Sequence, residues 1–266
     1  MDPGGSGSLD EPRILPEMND GPADWALFLD FDGTLVEIAQ QPDAVVVDPA
    51  LPPVLSRLQD HLGGALAIVS GRPIAFLDQR LAPLHFDAAG LHGIEHRIAG
   101  RFSPCRPEDH PHLREQVARL KDRIAPHPGM LLEDKGCSVA VHWRMALDQA
   151  AFALVMAQDA AGALGPDYRI QYGKAVAEIL PAASGKGRVI EAFLDQAPYR
   201  GRRPVFIGDD LTDELGFEVV NAAGGLSIRI GGGETIAKAR LETPAELRRQ
   251  LVRWVDEGSI PFSPAL

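Results

Sequence analysis

Apolar positions along this chain fall into two alternating patterns. Short uninterrupted runs, "WALFLDF" (25–31), "GALAIVS" (64–70), "RPVFIGDD" (203–210) and "GLSIRIGGG" (225–233), are bounded by glycine or polar residues. Such runs predict parallel strands covered on both faces, because a strand with one wet face alternates apolar and polar positions. Between them lie stretches with helical spacing: "PALPPVLSRLQDHL" (49–62), "KGRVIEAFLDQA" (186–197) and "DELGFEVVNAAG" (213–224), the last closed by a glycine. Strands alternating with helices predict a doubly wound α/β parallel sheet.

The pattern changes in the middle of the chain. After "FDAAGLHGIEHRIAGRF" (86–102), the Pro-rich "SPCRPEDHPH" leads into an amphipathic helix near 112–124. "PGMLLEDKGCSVAVHWRM" (128–145) reads as two strands with a turn at Asp134–Gly136, an Ala-rich helix follows over about 147–163, and "YRIQYGKAVAEILP" (168–181) reads as two more strands. This predicts a smaller α/β cap domain, βααβ-like or αββαββ in order, inserted over 104–178 into a core formed by 23–103 and 179–258. Residues 1–22, with no basic region and no apolar stretch, read as a flexible leader and not a signal peptide, and 259–266 as a tail.

A chain of 266 residues can bury a sizeable core as one large domain or two smaller ones. Its net charge of −11 repels nucleic acid and anionic membranes, so an anionic substrate would have to be drawn in by local cations or a metal. No apolar run approaches the roughly 18 residues that a membrane helix needs. The two cysteines, Cys105 and Cys137, are too few and too far apart for a zinc cluster or a disulfide framework. They read as free thiols in a reducing compartment, and the cytoplasm is the expected location.

The chemistry concentrates at strand ends. Asp30 and Asp32 stand two positions apart, so on an extended chain both carboxylates emerge on one side, at the edge where α/β sheets bind ligands. Two anions that close need a cation, and Mg²⁺ with its preference for oxygen ligands suits them better than zinc. "IGDDLTDE" (207–214) repeats the arrangement with Asp209, Asp210 and Asp213; there Asp213 and Glu214 also read as acids favoured at a helix start. Ser70 of "IVSGR" could donate a hydroxyl to an anion at the same edge, and Lys186 of "SGKGR" stands between glycines at a helix start, where amides and an ammonium could hold a phosphate. The latter is not a nucleotide-binding P-loop: Leu180 precedes Gly185 by five residues, and Gly187 stands where Ser or Thr is needed. His110, His112 and His127 stand among prolines in no ligand spacing and read as surface.

"LDFDGTL", the serine of "VSGR", the lysine of "SGKG" and "GDDLTDE" resemble, in that order, the four motifs of the haloacid dehalogenase superfamily of Mg²⁺-dependent phosphohydrolases. The resemblance implies Asp30 as nucleophile, forming an aspartyl-phosphate, and Asp32 as the acid that protonates the leaving alkoxide and then the base that activates water. It implies Ser70 and Lys186 as holders of the transferring phosphoryl group, and Asp30, the Asp32 carbonyl and Asp209 as ligands of Mg²⁺. Asp210 or Asp213 would act through water or by orienting Lys186. From about Trp25 to Gly258 the chain is similar to the trehalose-6-phosphate phosphatases within that superfamily, through "GLHGIE" (90–95), "LEDKGCSVAVHWR" (132–144), "AEILPAASGKG" (177–187) and "FIGDDLTDELGF" (206–217). It departs from them in "DFDGTL", where tyrosine often precedes the second aspartate.

This closer resemblance implies that Glu133, Lys135 and Glu178 bind glucose hydroxyls from the cap, with Arg144 and His142 near them or supporting the cap strand. Gly71, Arg72, His92, Gly93 and Glu95 would face the substrate from the core. Glu133 and Lys135 also read as solvated charges flanking a turn, and His142 as a packed strand residue. The implied substrate is a phosphorylated disaccharide, the functional partner a trehalose-6-phosphate synthase, and the assembly a monomer. Two alternatives stay open: a related capped phosphatase of sucrose phosphate or mannosyl phosphoglycerate, and a catalytically silent sugar-phosphate sensor.

Overall fold

The structure, a computed structural model, describes residues 21–39 and 44–257; the expected leader up to residue 20 and the tail 259–266 lie outside the described residues. Among the described residues the first unit of the core runs β1 (Trp25–Leu29), α1 (Leu51–His61), β2 (Leu66–Val69), α2 (Ile74–Arg80) and β3 (Asp87–Gly90), followed by the short strands β4 (Glu95–Ile98) and β5 (Arg101–Ser103). The chain then leaves the core for α3 (Pro111–Ile124), β6 (Leu131–Asp134), β7 (Val139–His142), α4 (Ala150–Leu164), β8 (Tyr168–Gly173) and β9 (Val176–Pro181). It returns through α5 (Lys186–Leu194), β10 (Arg203–Gly208), α6 (Glu214–Ala222), β11 (Leu226–Ile230), β12 (Ala239–Leu241) and α7 (Pro244–Glu257).

The core sheet has the order β12-β11-β10-β1-β2-β3-β4-β5, parallel from β12 to β3 and antiparallel over β4 and β5. All residues of β1 and β2 are buried, as continuous apolar runs require when helices cover both faces. The sheet continues past its ladder at the functional edge, where the Asp30 amide donates to the Ile207 carbonyl at 2.9 Å. The antiparallel pair β4–β5 and the C-terminal helix α7, whose Leu247, Leu251 and Trp254 are buried in the core, extend the expected architecture.

The cap follows the order αββαββ, one of the two expected, with the antiparallel sheet β6-β7-β9-β8. The expected end of the cap at 178 falls inside β9, which continues to Pro181. Leu113, Val117, Leu120, Met156 and Ala157 of its two helices pack on Val139, Val141, Ala177 and Ile179 from one face of that sheet. Cross-strand partners share a face, so Glu133, paired with Ala140, Glu178, paired with both Ala140 and Gln171, and Gln171 itself form a row on the opposite face.

The structure overturns the reading of the cysteines as free thiols: Cys105 and Cys137 form a disulfide, with Cα atoms 6.0 Å apart. Their separation of 32 residues is spanned because α3 runs outward from Cys105 and β6 returns the chain to the turn that holds Cys137. His110 and His127 are also not plain surface residues. Both are half-buried, with Nδ1 at 2.6 Å from the Tyr168 hydroxyl and the Gln149 amide oxygen, respectively. Among the described residues no helix is long and apolar enough to cross a membrane.

Candidate active site

Three strand ends and one helix start meet at the carboxyl edge of the core sheet. β1 delivers Asp30 and Asp32 on one side of the chain while the intervening Phe31 is buried in the core. Gly33 turns the chain at φ 79°, and a Cβ there would lie 2.1 Å from Asp209 Oδ2, so only glycine lets the β1 and β10 loops approach this closely. β10 delivers Asp209, Asp210 and Asp213. Asp213 Oδ2 accepts from the amides of Asp209 and Asp210 at 3.0 Å each, and Asp210 in turn accepts from Leu211 N at 2.7 Å.

Lys186 begins α5 as expected, and its ammonium is buried between two carboxylates, 2.7 Å from Asp30 Oδ1 and 2.6 Å from Asp213 Oδ1. Burial alone would neutralise this lysine, but the charges of Asp213 and Asp30 overcome it and hold the ammonium well above the usual range. Asp30 is pushed well up, first by burial, against the pull of Lys186 and with the repulsion of Asp213 and Asp209 added. Asp209 is pushed up to about 6 by burial and by Asp213. Asp30, Asp209 and Asp213 thus form an acidic group whose ligand atoms lie within 4.8 Å of one another and could hold a metal ion. One lysine does not balance three carboxylates, and their mutual repulsion adds to the burial that raises Asp30 and Asp209.

The opposite wall comes from β2 and the loop after β3. Ser70 is buried with its Oγ accepting from Arg72 N at 3.1 Å. Arg72 reaches across to Asp32 with a bidentate pair at 2.7 and 2.8 Å, which fixes where that carboxylate stands. His92, at the left-handed φ of 57°, donates its amide to the Ser70 carbonyl at 3.0 Å, and its ring covers Gly71 so closely that a Cβ there would lie 2.7 Å from Nε2. Gly93 packs on Val189 of α5. Glu95 stands apart from this group: it is buried, and its Oε1 accepts from Ile74 N at 2.6 Å, where an acid complements the first turn of α2.

The cap sheet presents its polar row to this edge. Glu178 is buried and accepts from Ser138 Oγ at 2.7 Å and from Lys135 Nζ at 2.9 Å, with His92 Nε2 of the core at 3.4 Å. Burial would raise its pKa, but the His92 hydrogen bond and the Lys135 charge prevail and hold it well below the carboxylate range. Glu133 pairs with His142 Nε2 at 2.9 Å, which lowers it against the effect of burial. Arg144, just past β7, is exposed. Arg169 and Gln171, which no motif in the sequence singles out, extend the same face on β8. Arg169 Nη2 donates to the Ser184 carbonyl at 3.1 Å, two residues before Lys186, and Gln171 lies against His92. Their parity in "YRIQYG" opposite Glu178 was the available signal.

The sequence profile described as trehalose-phosphatase matches residues 28–245. The chain is 47% identical over 214 residues to a probable trehalose-phosphate phosphatase of Sinorhizobium fredii, covering 78% of each chain. It is 43% identical over 232 residues to the trehalose-6-phosphate phosphatase of Escherichia coli, covering 85% of this chain and 84% of the relative. Among solved structures it is similar to a trehalose-6-phosphate phosphatase related protein, with a TM-score of 0.75 at 26% identity, over 88% of this chain and 98% of the other.

Proposed function

The chain belongs to the trehalose-phosphatase family, and on that footing we propose that it hydrolyses trehalose 6-phosphate to trehalose and phosphate. The observation that carries this reading is the facing of two sets of residues: Asp30, Lys186 and Asp209 at one sheet edge, and a cap row with Glu133 and Glu178, joined by Lys135, above it. A phosphate ester needs the first set. A polyhydroxyl group is selected by the second, because buried charged groups left unpaired by a wrong ligand cost more than a missing apolar contact.

In this reading an Asp30 oxygen attacks phosphorus and the ester P–O bond breaks. The leaving sugar alkoxide takes a proton from Asp32, giving trehalose and an aspartyl-phosphate. Water then attacks the phosphorus of that intermediate, Asp32 takes the water proton, and free phosphate leaves with the Asp30 carboxylate restored. Lys186 and Ser70 hold the phosphoryl oxygens, and Asp213 aims Lys186 through their 2.6 Å bond.

Mg²⁺ fits the donor set. Asp30 and Asp209 are hard oxygen donors whose carboxylates repel one another, and glycine at 33 keeps space beside Asp209. Asp213 has committed both oxygens to Lys186 and to two amides, so the Asp30 and Asp209 carboxylates with the Asp32 carbonyl would hold the ion. When bound, Mg²⁺ supplies positive charge to the transferring phosphoryl group.

Metal binding should read out in stability. An acid raised in the folded state, as Asp209 is at about 6, makes the metal-free protein less stable at neutral pH and more stable as pH falls through 6. An ion at 100 times its Kd adds about 2.7 kcal/mol. The rise in Tm on replacing EDTA with Mg²⁺ should therefore be larger at pH 7.5 than at pH 5.5, where protons compete with the ion; an equal rise at both pH values would refute the assignment.

The functional reading itself is tested by phosphate release from trehalose 6-phosphate, sucrose 6-phosphate, glucose 6-phosphate and mannosyl phosphoglycerate, with EDTA as control. Selective, EDTA-sensitive release from the first is the expected result. Preference for another ester would discard the assigned sugar, and no release from any would discard turnover.

A further inference from the structure

We infer that Gln171 is a positioning residue of the sugar site, acting through His92 across the cleft between cap and core; the inference rests on the sugar-phosphatase reading above. The geometry orients the Gln171 amide without ambiguity. Arg169 Nη1 and Nη2 both lie 3.4 Å from Gln171 Oε1, and a guanidinium can only donate, so the oxygen faces Arg169 and the amide nitrogen faces His92, 3.4 Å from Nδ1 and 3.3 Å from Nε2. Glu178 can only accept, so His92 Nε2 carries its proton towards that carboxylate at 3.4 Å. With both ring nitrogens nearly equidistant from it, the Gln171 amide nitrogen lies over the face of the imidazole, where its N–H makes a contact with the π-system. The contact holds the ring with its Nε2 edge towards Glu178.

The ring so held joins two parts of the site. Its backbone is bonded to Ser70 and its side chain covers Gly71, next to the residue assigned to hold the phosphoryl group, while its Nε2 contacts the sugar-facing Glu178. Leu91 and His92 both take positive φ, 51° and 57°, a costly backbone for residues other than glycine that persists where surrounding contacts demand it. Gln171 belongs to the cap and His92 to the core, so their contact exists only while the two are apposed. Gln171 thereby ties cap closure to the setting of the imidazole and of Glu178.

The test is a double-mutant cycle on KM and kcat with trehalose 6-phosphate and p-nitrophenyl phosphate. Gln171→Met keeps the side-chain length and removes the donor; His92→Asn removes the ring and tolerates positive φ. Gln171→Met should raise KM for the sugar ester about fivefold with kcat changed less than about twofold, and with a smaller loss on p-nitrophenyl phosphate. In the His92→Asn background the same change should cost less than about twofold, because its partner is already gone. Equal costs in both backgrounds, equal losses on both esters, or no loss at all would each overturn the inference; a matching Tm for Gln171→Met and the parent excludes misfolding as the cause. If the parent prefers another disaccharide phosphate, the functional reading fails while the cycle is run on that ester. A parent that turns over no sugar phosphate has no sugar to position, which overturns both.

Discussion

Asp30→Asn is expected to abolish phosphate release, by roughly 10⁴-fold or more, while leaving the fold as stable as the parent or more so. The first half follows from the assigned chemistry, since an amide cannot attack phosphorus to give the acyl-phosphate. The second half follows from electrostatics. Burial and the nearby Asp213 and Asp209 push the Asp30 carboxyl well up against the pull of Lys186, so the charge stands in the folded protein at a cost. The Asn oxygen can still accept from Lys186, and a small gain, about 1 kcal/mol in metal-free protein, is expected on removing the charge. Chemical denaturation in EDTA beside single-turnover assays checks both halves. Retained turnover would remove Asp30 from the nucleophile's role, and a large loss of stability would mean that the acidic group is held more favourably than its crowding implies.

The parts of this site legible in the sequence are those set by local geometry. The two-residue spacing of Asp30 and Asp32 forces them to one side of a strand, and the apolar runs before Asp30, Ser70 and Asp209 mark parallel strands whose ends share an edge. Lys186 was legible as a helix start. Its burial between Asp30 and Asp213, from segments 156 and 27 residues away, was visible only through the motif order. What stayed hidden depends on tertiary distance. The Cys105–Cys137 bond depends on α3 and β6 folding back on one another, and Gln171 reads as an ordinary strand residue until β8 is paired with β9 and the cap is set against His92. Glu95 shows the reverse: its place in "GLHGIE" implies a substrate contact, yet its carboxylate accepts from the amide of Ile74 in the first turn of α2.

Lys186→Ala should be the most destabilising change in the site and should also abolish turnover. The ammonium is nearly inaccessible, and among the described residues it is the one cation bonded to Asp30 and Asp213. Removing one member of a buried ion pair leaves the other charged and desolvated, a loss of about 3–5 kcal/mol. The raised pKa of Lys186 means that its stabilisation is present below the unfolded lysine value and is lost only as pH rises through a still higher one, so between pH 5 and 9 the parent shows no lysine titration. The variant behaves differently: Asp30, already raised, loses the charge that opposed its rise and takes up a proton more readily as pH falls. Its stability deficit should therefore shrink from pH 8 to pH 5 in urea unfolding without metal. Adding Asp213→Asn should restore part of it, because the orphaned charge is removed along with its lost partner. A deficit below about 1 kcal/mol, or one independent of pH, would mean that water or relaxation solvates these carboxylates in place of Lys186, and that the lysine serves the phosphoryl group alone.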